Sequence, residues 1–316
     1  MSWLPRRIGV SILLIWAVIS VVFLSIRIVP GDPAELFLSR SGVIPDRVTV
    51  AKLHEQLGLN QPALGRYFKE MGRLLRGDLG RSLRDGSSVS DEIALRLPRT
   101  VELIGVAALL ATLIGIPGGV LAATPREGVF DRIITVLSAS ALATPAFVLG
   151  ILLILLFAQA LNWMPAGGYI AFAQDPLQHV ALLAMPSAAL GLGLAATMFR
   201  MTRGSVLDVT QRNFVRTARA KGLAPSHILL HHVLRNALIP IVAVLPLHVG
   251  ALFGGAVLVE YLFNYPGLSC LLVEAVNARD YPVVEGVVMA LSVLFITVNL
   301  LVDLLYSAVD PRARAE

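Results

Sequence analysis

The stretch "TARAKGLAPSHILLHHVLRNALIPIV", residues 217–242, interrupts an otherwise apolar chain. It carries basic side chains and three histidines, but no aspartate or glutamate. Gly222 stands at a position typical of a helix C-terminus, and Pro225 stands where a following helix would begin. The pattern predicts two short helices separated by a sharp break, the second of which continues into a long apolar helix.

The composition of the chain is that of an integral membrane protein. Of its 316 residues, 56% are hydrophobic and only 15% are charged, and the mean hydropathy is +0.76. Soluble domains are about 25% charged. The net charge of +5 is explained by where the charges lie, so nucleic acid is not an expected partner. The single cysteine, Cys270, excludes an internal disulfide and a cysteine metal cluster.

Six continuous apolar runs are long enough to cross a bilayer, for which a helix needs about 20 residues. They lie at 8–29, 101–123, 133–161, 180–199, 239–263 and 283–307. The runs do not alternate with period two, so helices are expected rather than barrel strands. The first run ends in "IRIVPGDP" without a small-residue cleavage site, which favours a retained helix over a signal peptide. The sequence therefore predicts an all-α integral membrane protein with six transmembrane helices.

Arginine and lysine in the short loops give the orientation, because these residues accumulate on the cytoplasmic side. They occur at Arg6, Arg7, Arg126, Arg132, Arg200, Arg203, Arg212, Arg216, Arg219, Lys221, Arg235, Arg312 and Arg314. The opposite loops have none in 162–179 and only Arg279 in 264–282. Both termini and the loop 200–238 are thus predicted to be cytoplasmic. The domains follow as a first span (1–30), an extracytoplasmic segment (31–98), a five-helix core (99–310) and a cytoplasmic tail (311–316).

The extracytoplasmic segment is too long for a bare loop. Residues 46–59 and 61–77 each have a helical pattern, and Gly58 and Gly77 stand where these helices would end. Leu64, Phe68, Met71 and Leu75 recur at helical spacing. This stripe favours a small helical cap on the outer face over a solvated connector.

The basic loop contains a candidate docking helix, "NFVRTARAKG" at 213–222, with Val215 and Ala218 on one side. The small residues Ala218, Ala220 and Gly222 leave a low surface against which another protein can pack. The alternative is a basic loop that contacts only lipid headgroups.

At this point the residues resemble a family. "RTARAKGL" followed by "HHVLRNALIPIV" is similar to the cytoplasmic signature loop of bacterial ABC importer permeases, in particular the first permease of the dipeptide/oligopeptide/nickel family. The resemblance continues in chain order through "RIVPGDPAE", "LGLNQP", "GDLGRS", "LPRTVEL", "TPAFVLGILL", "VLVEYLFNYPGL", "ARDYPVVEGVV" and "NLLVDLLYSAVDPR". One departure concerns the signature, which often begins Glu-Ala-Ala and here reads Arg216, Thr217, Ala218. A second places Ser269 and Cys270 where the family often has Gly and Arg.

The resemblance implies a multi-pass subunit of the bacterial cytoplasmic membrane that forms half of a translocation pathway. Its implied partners are a second, homologous permease, two cytoplasmic ATPases and an extracytoplasmic binding protein, all in the presence of membrane lipid. ATP and Mg²⁺ would be bound by the ATPases, and no cofactor by this chain. The implied coupling residues are Arg216, Thr217, Ala218, Arg219, Ala220, Lys221, Gly222 and Leu223. Small peptides are the first expected cargo, followed by nickel chelates, glutathione and opines.

No phosphate-binding loop of the form G-x-x-x-x-G-K-[ST] occurs in the sequence, so the chain is not expected to bind ATP by that device. The resemblance implies a transport subunit rather than an enzyme. The adjacent His231 and His232 would point about 100° apart on an α-helix, which disfavours a shared metal. Histidines and carboxylates in spans are functional candidates. His248 is expected to face the pore or to hydrogen-bond between helices rather than to bind nickel. Glu260 is expected to form a gate or a helix contact rather than a proton relay.

Two other classes remain open at this point. An ion-coupled secondary transporter should show paired repeats with ionisable groups at the midplane, and no such repeat is seen. A membrane-embedded enzyme or respiratory subunit should carry quinone or haem ligands.

Overall fold

The computed structural model describes residues 3–28, 63–123 and 129–309, and these ranges are helical with short connections. The helices are α1 (Trp3–Ile28), α2 (Ala63–Leu75), α3 (Val89–Ala123), α4 (Val129–Ala143), α5 (Ala146–Leu153), α6 (Pro176–Thr210), α7 (Asn213–Ala220), α8 (Arg235–Leu262), α9 (Leu268–Ala278) and α10 (Tyr281–Val309). A π-helical segment, Ile154–Ala160, continues α5, and a first turn (Pro225–His227) and a second π-helical segment (Ile228–Leu234) precede α8. Within the described ranges, β-pairing is confined to an isolated bridge between Arg81 and Ser88. The predicted all-α class is confirmed.

The described part of the chain contains four helices that are long and apolar enough to cross a membrane, or five if one bent pair counts as a span. The four are Val89–Ala123, Pro176–Thr210, Pro225–Leu245 and Tyr281–Leu301. Within α1, the apolar helix among described side chains is the shorter Gly9–Leu24. A membrane protein is thus confirmed, whereas the total of six spans stays a prediction.

The third predicted span, 133–161, is not one continuous helix. Its two parts, Ile133–Ala143 and Ala146–Ala160, meet at an angle of 115°. Pro145 stands at the break with φ −58° and ψ 145°. Proline lacks an N–H group and disfavours helical geometry at the preceding residue, here Thr144. The expectation of one span over these residues is therefore corrected to a broken or re-entrant pair.

The chain forms two compact units. The first comprises Met1–Arg99 with Gly267–Thr297. Its core joins the start of α3 to α9 and α10 through Val89, Ile93, Leu268, Leu271, Ala275, Val283 and Val287. A Cβ atom on Gly286 would lie 2.6 Å from Cγ1 of Val89, so glycine is what allows α10 to approach α3 this closely.

Within this unit α2 packs against α1 through Tyr67. The Tyr67 ring lies 5.2 Å from that of Phe23, and its hydroxyl is hydrogen-bonded to that of Ser20 at 2.7 Å. Phe68, in contrast, is 64% exposed, whereas Leu74 is buried. The structure thus places Tyr67, rather than Phe68 of the predicted stripe, against α1. The predicted helix 46–59 lies outside the described residues, and the outer cap stays a prediction.

The second unit comprises Thr100–Pro266 with Val298–Glu316. Its core lies between α3, α6 and α8, and small residues set the helix spacing. A Cβ on Gly115 would lie 2.5 Å from the backbone oxygen of Ala195, and one on Gly191 would lie 2.6 Å from that of Ala107. Close helix packing at these glycines matches the sequence pattern. Gly193, in contrast, has nothing within 4 Å of its Cβ position, so no neighbouring helix requires a glycine there.

Candidate functional site

The predicted break in the basic loop is present. Helix α7 is followed by Lys221 and by Gly222, whose φ is +77°. The N–H of Leu223 donates to the carbonyl oxygen of Ala218 at 3.3 Å, and that of Gly222 donates to Arg219 at 3.0 Å. These two bonds form a Schellman motif, in which glycine accepts the left-handed backbone without a steric penalty. Pro225 then begins the next helix, as predicted.

One face of α7 is anchored to the rest of its own unit. Val215 is fully buried and Ala218 is 6% exposed. Both belong to an apolar cluster with Val206, Val209, Ile228, Val233 and Ala237. The expectation that Ala218 presents a small surface to another protein is therefore wrong, because its size is required by packing inside this chain.

The opposite face of α7 is free of such packing. At 100° per residue, the residues pointing away from Val215 and Ala218 are Asn213, Arg216, Thr217 and Ala220, and all four are exposed. Phe214 on the flank of this face and Leu223 beyond the break are 41% and 39% exposed. We call Asn213, Phe214, Arg216, Thr217, Ala220 and Leu223 the outward surface. Phe214 had not been singled out from the sequence, although an exposed aromatic beside arginines is a common interface anchor.

The π-helical segment Ile228–Leu234 packs against the anchored face of α7 and buries Ile228 and Val233. Together with the turn Pro225–His227 before it, this segment brings three histidines close together. The rings of His227 and His231 stack with centroids 4.2 Å apart, and His232 lies 5.9 Å from His227. A π-helical turn holds more residues than an α-helical turn, so both neighbours reach His227. In a regular α-helix His231 and His232 would point about 100° apart, so this cluster was not predicted from the sequence.

The two pathway candidates lie on α8. Glu260 is fully buried and accepts a hydrogen bond of 2.7 Å from the Thr100 hydroxyl on α3. It thus makes a contact between two helices, and its role as a gate stays a prediction. His248 is partly buried on the same helix, and its role also stays a prediction.

A polar network near Glu260 was missed by the sequence analysis. Glu102 on α3 is hydrogen-bonded through Oε1 to Nε2 of His179 on α6 at 2.9 Å. Its Oε2 accepts from the hydroxyl of Tyr265, which follows α8, at 3.2 Å. Burial, and after it the Glu102 carboxylate, raise the pKa of Tyr265, so the phenol stays protonated and donates. Nδ1 of His179 donates to the carbonyl oxygen of Ile170 at 2.7 Å.

A sequence signal for this network existed. Glu102 lies at the start of the predicted span 101–123, and His179 directly precedes the predicted span 180–199. Ionisable residues in or beside spans are functional candidates, and this rule was applied above only to His248 and Glu260 on α8. The partnership itself joins residues 77 positions apart, which no local pattern reveals.

In the first unit, two motifs that carried the family resemblance come together. The Ser82 hydroxyl of "GDLGRS" donates to Oδ2 of Asp280 in "ARDYPVVEGVV" at 2.6 Å. The backbone N–H of Leu83 donates to Oδ1 of Asp280 at 3.1 Å. Asp280 is 3% exposed, so it is a buried acceptor that holds the loop before α3. A recess of about 140 Å³ adjoins it, on one side of which Arg96 pairs with Glu274 at 3.4 Å.

Comparison with known proteins agrees with this architecture. Residues 115–315 match the family described as "Binding-protein-dependent transport system inner membrane component". The chain is 41% identical to the glutathione transport system permease protein GsiC of Pectobacterium atrosepticum over 297 residues, covering 94% of both chains. It is 38% identical to GsiC of Escherichia coli (strain K12) over 314 residues, covering 99% of both. Among solved structures, the MetNI methionine ABC transporter in an inward-facing conformation matches with a TM-score of 0.57 at 18% identity, covering 69% of this chain and 96% of that one.

Proposed function

The chain belongs to the family of binding-protein-dependent transport system inner membrane components, and on that premise we propose that it carries a glutathione-class small peptide. It is a permease subunit of an ABC importer, and nucleotide is handled by partner ATPases. It is accordingly a transport subunit rather than an enzyme. Membership of this family also argues against the two alternatives that the sequence left open, an ion-coupled transporter and a membrane-embedded enzyme or respiratory subunit.

The cargo proposal is supported by the relatives. Proteins that are 38% and 41% identical over nearly the whole chain are glutathione transport permeases. Glutathione is a tripeptide, so it falls within the small-peptide class that the motifs imply. Nickel chelates and opines are the second choice as cargo. For nickel chelates, the reason is that His231, His232 and His248 are not expected to bind metal.

The ATPase contact is proposed to be the outward surface of α7. The observation that carries this proposal is the division of α7 into an anchored face and an exposed face. The anchored face fixes the helix to its own unit, so force applied to the exposed face moves the unit with it. No acidic residue occurs between Val209 and Val259, so the fitting partner is a groove with an acidic rim and an apolar floor for Phe214 and Leu223.

The remaining partners complete the pathway. A second, homologous permease is proposed to supply the other half, in a heterodimer, and an extracytoplasmic binding protein to deliver cargo. The arginine asymmetry of the loops supports a cytoplasmic position for α7 and for both termini. The chain is an inner membrane component.

The test is uptake by the complete complex in proteoliposomes, with ATP inside and the binding protein outside. We expect glutathione uptake that needs ATP and the binding protein and does not change when an uncoupler is added. A dipeptide and a nickel chelate are measured in parallel. Uptake of only one of these, with none of glutathione, would contradict the cargo. Uptake that collapses with the uncoupler and persists without ATP would contradict the importer.

A further inference from the structure

Four polar contacts around Glu102 connect the ends of three helices in the second unit. They are Thr100 to Glu260, Glu102 to His179, Glu102 to Tyr265, and His179 to the Ile170 carbonyl. They join α3, the start of α6, the end of α8 and the loop before α6. We call Thr100, Glu102, His179, Glu260 and Tyr265 the polar latch.

His179 and Glu102 in the latch satisfy each other's hydrogen-bonding requirements. His179 is 4% exposed, and the Glu102 side chain is 35% exposed. The Nδ1 proton of His179 is used on Ile170, so the bond to Glu102 requires one further proton, carried by either partner. Aromatic rings enclose the imidazole, with Tyr169 at 5.8 Å and Phe172 at 5.6 Å. Because the imidazole is buried, a ring nitrogen left without a partner is costly.

The latch lies at the far end of α6 from the coupling region. His179 is in the first turn of α6, and α7 begins at Asn213, three residues after the last residue of α6, Thr210. The 31 residues from His179 to Val209 span roughly 45 Å at about 1.5 Å per residue. Helix α6 is continuous over this length, so one element connects the latch to the proposed ATPase contact.

We propose that the polar latch holds the pathway closed at its outer end in the resting transporter, and that a loaded binding protein opens it. The latch ties the ends of α3, α6 and α8 into one block. In this proposal these ends shift relative to one another when this half of the pathway opens, and the shift breaks the bonds of the latch. While the latch is closed, the transporter does not enter the ATP-hydrolysing cycle. Glu102 is the central positioning residue, because it bonds to two of the other elements. This inference rests on the proposed ABC importer function.

The experiment measures ATP hydrolysis by the complete reconstituted complex, with and without the loaded binding protein. Glu102→Ala removes both bonds of Glu102. We expect hydrolysis without binding protein to rise about tenfold, since one lost hydrogen-bonding carboxylate shifts an equilibrium by roughly that factor. Added binding protein should then stimulate little further. Glu102→Gln can still donate to His179 and accept from Tyr265, so it should behave like the parent.

Glu274→Ala is the matched control. Glu274 is 40% exposed and paired with Arg96, so it resembles Glu102 in exposure and partnership but lies outside the latch. It should leave hydrolysis without binding protein unchanged. A purely structural role for Glu102 would lower the amount of complex but would not raise its basal hydrolysis.

If Glu102→Ala does not assemble, Tyr265→Phe and Thr100→Val each remove one hydroxyl and serve instead, with an expected rise of about threefold. The latch is refuted if the assembled variants hydrolyse ATP and respond to binding protein as the parent does. A parent complex that shows no stimulation at all would refute the importer function itself, and the latch with it.

Discussion

Ala220→Glu should separate docking from folding in α7. Ala220 lies on the outward surface and is exposed, so a carboxylate there stays hydrated in the free subunit. Surface substitutions of this kind change stability by within about 0.5 kcal/mol. In the complex, the same carboxylate would face the acidic rim proposed for the ATPase groove. Like charges brought together at an interface, with added bulk, should weaken binding by about 3 kcal/mol, more than a hundredfold.

Ala218→Glu, two residues away, should have the opposite profile. Ala218 is 6% exposed and packed among valines and an isoleucine. An unpaired carboxylate buried there costs about 3–5 kcal/mol. That is a large part of the stability of an ordinary domain, so the expected result is a lower amount of folded permease rather than a specific loss of ATPase.

The assay is co-purification of the ATPases with tagged permease, beside the thermal unfolding midpoint of the permease alone. Ala220→Glu should keep the midpoint of the parent and lose most of the bound ATPase, whereas Ala218→Glu should lower the midpoint. Ala220→Ser is the control that keeps a small side chain and should retain the ATPases. If Ala220→Glu retains them with full stimulated hydrolysis, α7 does not dock through its outward surface, and the loop that contacts only headgroups is the better interpretation.

Three further predictions concern other parts of the chain. In a Cys270→Ser background, Ser87→Cys should react with an impermeant thiol reagent in intact cells, and Ser226→Cys only after the inner membrane is opened; the reverse would overturn the orientation. Gly222→Val should cost about 1–2 kcal/mol through the left-handed backbone alone, since nothing lies within 4 Å of its Cβ position; an unchanged unfolding midpoint would contradict this. Asp280→Ala should lower stability by about 3 kcal/mol, because it leaves Ser82 and Leu83 without their acceptor; a proteolysis rate of the 81–88 loop equal to the parent would show that the loop is held otherwise.

The features that local chemistry determines were predictable from the sequence. Gly222 and Pro225 predicted the break after α7. A glycine that adopts the left-handed conformation ends one helix, and a proline whose ring fixes φ begins the next, so few other backbone paths fit. Gly77 likewise follows the end of α2 with φ +77°. The apolar runs located α3 and α6, since length and hydropathy suffice to identify such helices.

The features that depend on long-range packing were not predictable. Tyr67 rather than Phe68 faces α1, because Ser20 and Phe23 stand beside it, and helical spacing alone fits either phase. Ala218 was assigned to the wrong partner for the same reason. A small residue indicates close approach but does not say which surface approaches. The partnership of Glu102 with His179 and Tyr265 depends on three helix ends meeting, which the sequence of none of them records.

The two faces of α7 account for how this chain departs from the signature that it resembles. The family often has Glu-Ala-Ala where this chain has Arg216, Thr217 and Ala218. The one position that agrees, Ala218, is buried against the chain's own core, where a larger side chain would have no room. The two that differ are exposed, where the fitting residue depends on the partner. An arginine in place of glutamate reverses the charge at that position. The ATPase groove that fits this chain should therefore be acidic there, whereas the groove that fits the commoner signature should not be. Exchanging Arg216 for glutamate should therefore weaken retention of this chain's own ATPases, and a normal amount of co-purified ATPase would show that charge does not select the partner.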